Sequence, residues 1–125
     1  MRKTFMLLLI ITLLTACAPA AQPQKTVEKF LQAINTKDST TVSAISCQAW
    51  EADALMLLDS FQAVTTTLEG LSCEQTGSDP DGRAIVACQG KLVASYDGEL
   101  REFDLSVQQY LVENVNGDWL VCGTN

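Results

Sequence analysis

The stretch Arg83-Ala84-Ile85-Val86-Ala87-Cys88-Gln89-Gly90-Lys91-Leu92-Val93-Ala94-Ser95-Tyr96-Asp97-Gly98-Glu99-Leu100-Arg101-Glu102-Phe103-Asp104-Leu105 reads as two strands around a tight turn. Asp97-Gly98 is a two-residue hairpin signal, because a type I′ turn needs positive φ at both central positions. Taking that pair as the loop sets a register. Leu92 then lies opposite Phe103, Gly90 opposite Leu105 and Cys88 opposite Val107. These positions share one sheet face, and that face is apolar, so helices are expected to cover it.

Working outward toward the C-terminus, Glu99–Val115 is expected to be one long strand. Asn116-Gly117 is a second hairpin signal, and Asp118–Cys122 closes the chain. This turn sets Leu120 opposite Glu113 and Cys122 opposite Leu111, with Cys122 on the helix-covered face. Toward the N-terminus, Asp79-Pro80-Asp81-Gly82 carries turn chemistry. Leu71–Gly77 is the strand before it, and Cys73 falls directly opposite Cys88. The second half is thus a four-stranded antiparallel meander.

The first half has a helical period. Val27, Phe30, Leu31 and Ile34 form one apolar stripe over Pro23–Asn35. Asp38 or Ser39 is placed to cap a short second helix through Ile45. A third helix is expected from Trp50 to Leu68, with Ala54, Leu57, Phe61 and Val64 on its stripe and Leu58 beside it. Helices followed by an antiparallel meander make an α+β fold.

The chain opens with Met1-Arg2-Lys3 and an apolar run of about 10 residues from Phe5 to Leu14, half the roughly 20 that a spanning helix needs. A basic start, a short apolar core and a small-residue site are the parts of an export signal. Leu14-Thr15-Ala16-Cys17 resembles the lipobox of bacterial lipoproteins. The resemblance implies that residues 1–16 are a signal peptide and that Cys17 is the acylated first residue of the mature protein. Residues 17–23 then form the lipidated Cys and a Pro-containing tether, and residues 24–125 form the domain. The expected location is the extracytoplasmic face of a bacterial membrane, reached through the lipid anchor.

Removing Arg2 and Lys3 with the signal takes the formal charge from −7 to −9, because that segment holds no acid. A nucleic-acid partner needs a basic footprint and is not expected. With Cys17 set aside, Cys47, Cys73, Cys88 and Cys122 remain. An even count in an exported domain implies disulfides. Cys88 and Cys122 are expected to be separated by an intervening strand, hence at least about 9–10 Å apart. A disulfide needs a Cα separation below about 7 Å. Cys73 is further still from Cys122, so the surviving scheme is Cys47–Cys122 with Cys73–Cys88. No pair has Cys-x-x-Cys spacing and the chain has no His, so neither a metal centre nor a cofactor is expected.

Val27-Glu28-Lys29-Phe30-Leu31-Gln32-Ala33-Ile34-Asn35-Thr36-Lys37-Asp38 and Asn116-Gly117-Asp118-Trp119-Leu120-Val121-Cys122-Gly123 resemble the opening helix and closing strand of nuclear-transport-factor-2-like proteins. That superfamily includes ketosteroid isomerase, and the likeness is strongest to its small bacterial lipoprotein members. It covers roughly residues 24–123 and implies a cystatin- or cone-like arrangement, a curved sheet wrapped on a long helix with a pocket at the open end. Some lipoprotein members pair a Cys at the second helix with one in the closing strand, which matches Cys47 and Cys122. Enzyme members place Asp, His, Tyr or Arg in the pocket. Here there is no His, and no acid falls in a matching motif.

Trp50, Phe61, Leu92 and Gln109 are the expected pocket residues. Gln109 is read opposite Val86 on the apolar face; alternatively Gln108-Gln109 marks a bulge that turns Gln109 outward. Trp50 either stacks on a ligand or packs against the Cys47–Cys122 bond. Asp97, Glu99, Glu102 and Asp104 cluster near one hairpin, where paired carboxylates or calcium ligation are conceivable, but a solvated strand face accounts for all four. Ile85, Tyr110, Val112, Trp119 and Val121, with Ala87, are expected on the outer sheet face, an apolar patch suited to a homodimer. The functional expectation is a non-catalytic binding or protein-interaction module. A small-molecule-binding or enzymatic cone pocket is the alternative.

Overall fold

The computed structural model describes residues 21–125. The signal residues 1–16, Cys17 and the tether as far as Ala20 lie outside the described residues. Three helices come first: α1 (Pro23–Thr36), α2 (Ser39–Ala44) and α3 (Glu51–Asp59). Then follow β1 (Thr65–Ser78), β2 (Ala84–Tyr96), β3 (Glu99–Asp104), a 3-10 turn (Leu105–Val107), β4 (Gln109–Val115) and β5 (Asp118–Thr124). The fold is α+β, with an open antiparallel sheet in the order β1-β2-β4-β5 and β3 also paired to β2.

The stripe of α1 is buried as its period requires: Val27, Phe30, Leu31 and Ile34 are all in the core. Burying side chains of this size stabilises by about 1.5–3 kcal/mol each. Lys37 adopts φ 61° and ends the helix, with its N–H bonded to the Ile34 carbonyl and that of Asp38 to the Ala33 carbonyl. Asp38 then caps α2: its Oδ1 accepts from the Thr41 N–H at 3.0 Å. The following segment lies along β5. Val121 N–H donates to the Ile45 carbonyl, and Cys47 N–H donates to the Val121 carbonyl, both at 2.8 Å. That contact covers part of an otherwise open strand edge and brings Cys47 to Cys122, which are disulfide-bonded with their Cα atoms 4.8 Å apart. Cys73 and Cys88 are paired across β1 and β2 and bonded to each other.

The third helix stops at Asp59 rather than running to Leu68. Thr65-Thr66-Thr67 are β-branched and favour a strand, and β1 gains pairing along most of β2, from Thr65 opposite Ser95 to Ser78 opposite Ala84. The first strand is therefore twice the length expected from Leu71–Gly77.

The expected strand Glu99–Val115 is broken, so the sheet has five strands rather than four. Asp104 causes the break. Its Oδ1 accepts from the Ser106 N–H at 2.9 Å and from the Ser106 hydroxyl at 2.7 Å. An Asp side chain that bonds the backbone two residues on offers the chain an alternative to the ladder. Before the break Leu92 faces Phe103, as the Asp97-Gly98 turn dictates. After it Ala87, not Val86, faces Gln109. One extra residue has entered, and a one-residue slip moves every following side chain to the other face. The pairings of Gly90 with Leu105 and Cys88 with Val107 do not form.

The slip reverses the expected outer patch. Tyr110, Val112 and Val121 are buried in the core, and Trp119 packs against it. Of the five proposed interface residues only Ile85 stays off the buried face, half-buried between Ala84 and Val86. Asn116-Gly117 holds its register, with Val112 opposite Val121 and Leu120 opposite Glu113. A bulge in β5 then puts Gly123, not Cys122, opposite Leu111. Cys122 is the extra residue, and it bonds Cys47 at the sheet edge.

Candidate functional site

A cavity of about 120 Å³ lies between the second half of α1, the end of α3 and the β2–β3 hairpin. Leu31 and Ile34 come from α1, Leu57 from α3, and Phe61 from the turn after it. Leu92, Phe103, Leu105 and Tyr110 complete the apolar wall, and Asp104 and Gln108 supply polar groups. Phe61 and Phe103 meet edge to face, with ring centroids 5.4 Å apart. Phe103 is 40 % exposed, which places it at the mouth. Drug-sized ligands occupy roughly 300–1,000 Å³. This cavity is smaller than the ~150 Å³ space that takes benzene, so it has room for one small apolar group.

Two of the four expected pocket residues, Phe61 and Leu92, line it. Trp50 does not: half-buried, it packs against the core on Phe30 at 5.5 Å between centroids. Gln109 does not either. It faces Ala87 across the sheet, and the residue inserted at the Leu105–Val107 turn puts Gln108 at the cavity in its place. Leu31 and Ile34 were legible as a core stripe but not as cavity wall. Asp104-Leu105-Ser106 was the available signal for the turn that brings Leu105 and Gln108 in.

The Asp104 carboxylate at the cavity is already engaged with Ser106. The Ser106 hydroxyl, and then its backbone N–H, hold the Asp104 carboxyl below its usual range. Burial pushes the Tyr110 hydroxyl up to about 12. Both shifts lead away from neutrality, whereas an acid or base in catalysis works best with a pKa near the operating pH. Elsewhere in the acidic cluster, Glu102 pairs with Lys91 at 2.6 Å, and Lys91 also reaches Glu69 at 3.4 Å. Asp97 is a turn residue at φ 50°. Glu99 is exposed beside it. Among the described residues, Cys47, Glu113 and Cys122 bring potential ligand atoms within 4.8 Å of one another, but the two sulfurs are bonded to each other and are not thiolate donors.

The Tyr110 shift has a measurable consequence. An unfolded tyrosine ionises near 10. Because the folded value is raised to about 12, the contribution of neutral Tyr110 is fully present below pH 10 and is lost as pH climbs through 12. In denaturant titrations at pH 9 and 11.5, Tyr110→Phe should lose less stability between the two than the wild type. Equal losses would mean that Tyr110 is not neutral and buried.

No helix among the described residues is long and apolar enough to cross a membrane. No protein-family profile matches the chain, and no curated protein matches it.

Proposed function

We propose that this chain is a lipid-anchored extracytoplasmic domain that acts as a non-catalytic binding module, using the cavity at Phe103 to receive one small apolar group of a ligand or partner. The cavity carries this reading. It is walled by leucine, isoleucine and aromatic side chains, and its one carboxylate is engaged with Ser106. Anchoring rests on the lipobox-like Leu14-Thr15-Ala16-Cys17, and the two disulfides accord with an oxidising compartment. The likeness to nuclear-transport-factor-2-like proteins belongs to the same proposal. Its support is the α1 pattern, the break at Lys37-Asp38, and the bond from the end of the second helix to the closing strand.

The test uses 1-butanol as a probe of the cavity. Titrated into the isotope-labelled domain, it should shift the methyl resonances of Leu31, Ile34, Leu57 and Leu105 more than those of Val42, which is buried elsewhere. Leu57→Trp, which fills the space, should abolish the saturable component. Shifts that are uniform across the protein, or unchanged by Leu57→Trp, would refute the cavity as a binding site.

A further inference from the structure

We infer that the anchored domain stands with the α1 N-terminus and the turns before β2 and β5 toward the bilayer, and with the cavity turned away from it, so that the cavity samples the aqueous space and not lipid. This rests on the proposed anchor at Cys17. The indole N–H of Trp119 donates to the Ala21 carbonyl at 3.1 Å, which pins the point where the tether enters the domain to the start of β5. Buried Pro23 begins α1 two residues later. From Cys17 to Ala21 there are four peptide steps, at most about 14 Å of extended chain.

The register shows what lies at that end. Val115 pairs with Asp118, Val112 with Ala84, and Ala84 with Ser78. The Asn116-Gly117 turn and the Asp79–Gly82 turn therefore project beyond the same end of the sheet. The Asp97-Gly98 turn is at the other end of β2, 13 residues away. α1 runs in that direction, since Lys37 Nζ reaches Thr66 Oγ1 at 2.7 Å and Thr66 pairs with Ala94. The helix is 14 residues long, about 21 Å at 1.5 Å each. Leu31 and Ile34 carry the cavity in its far half.

A tether of at most about 14 Å cannot bring the far end to the bilayer with Ala21 outermost. Charge opposes burial of the near end. Asp79, Asp81 and Asp118 lie there; of the cations at this end, the Arg83 guanidinium is engaged with Asp79 at 2.7 Å and Asp81 at 3.5 Å, and Lys25 of the first turn of α1 with Glu28 at 3.0 Å. An anionic lipid surface repels such an end, so the tether and not adhesion sets the stance.

The experiment uses the full lipidated chain in vesicles of phosphatidylcholine and phosphatidylglycerol with a headgroup-labelled acceptor lipid. A donor dye is placed on an unnatural residue at Pro80 or at Glu99, both exposed. Energy transfer is expected to be at least twofold greater from position 80. Equal transfer means that the domain lies flat, and greater transfer from position 99 means that it is inverted; either overturns the inference. Mass spectrometry of the N-terminal peptide separates the two failures. A peptide without acyl groups on Cys17 refutes the anchor and the stance together, whereas an acylated peptide with equal transfer refutes the stance alone.

Discussion

Replacing Cys47 and Cys122 together by alanine is expected to lower the melting temperature by roughly 20 °C, through a loss of about 4 kcal/mol. The bond joins residues 75 apart. Cross-linking so long a loop removes much of the freedom of the unfolded chain, and the chain-entropy argument gives about 4 kcal/mol for this length. For a domain of about 100 residues, each kcal/mol moves the midpoint by about 4–8 °C. The native contacts around the bond should survive, because the Ile45–Cys47 segment is also held to Val121 by two backbone hydrogen bonds. Scanning calorimetry measures the loss. A drop below 5 °C would mean that the cross-link hardly restricts the unfolded chain.

That bond was legible in the sequence, though not for every reason first available. The register excludes Cys88 as a partner of Cys122 because β4 lies between β2 and β5. The expected position of Cys122 on the helix-covered face, opposite Leu111, is not what the structure has. Cys122 is a bulged residue at an edge strand, and Cys47 comes to it along that edge through parallel backbone contacts. The pairing depends on which strands are neighbours, which turn residues encode. The side from which the bond is made depends on a bulge, which no residue type marks strongly.

The same contrast explains the cavity. Asp97-Gly98 and Asn116-Gly117 adopt positive φ at both residues, a demand that few pairs meet, so their registers could be read directly. The break after Asp104 is a local competition. An Asp followed two residues later by Ser prefers its own turn over the ladder, and the outcome shifts Gln108 inward and Gln109 outward. The same slip carries Tyr110 from the expected outer face into the core, where its ring packs on Phe30 at 6.2 Å between centroids.

Gly90→Ala is expected to cost about 3–4 kcal/mol, beyond the 0.5–3 kcal/mol of most substitutions. Gly90 sits at φ +102°, a conformation that side chains rarely adopt. Such strain alone costs about 1–3 kcal/mol. A Cβ there would also lie 2.5 Å from the Glu69 carbonyl oxygen and 2.6 Å from that of Gly70. Both are backbone atoms of the neighbouring strand, in the bulge between Glu69 and Ser72, and they cannot swing aside as a side chain would. Gly77→Ala is the control, because nothing lies within 4 Å of its Cβ position and its φ is not in the positive range. It should leave the midpoint within a few degrees of wild type, while Gly90→Ala lowers it by roughly 15–25 °C at about 4–8 °C per kcal/mol. The location gives this glycine a consequence for the cavity as well. β2 leaves β4 at Ala87 and takes up β3 at Lys91, so Gly90 is where the hairpin arm bearing Leu92 and Phe103 departs from the rest of the sheet. If alanine at Gly90 straightens that junction, Phe103 moves relative to Phe61 and the cavity changes shape. Gly90→Ala should therefore weaken butanol binding even at temperatures where the variant remains folded. Full retention of binding would show that the arm is positioned by its contacts with α1 and α3 and not by the close backbone approach at Gly90.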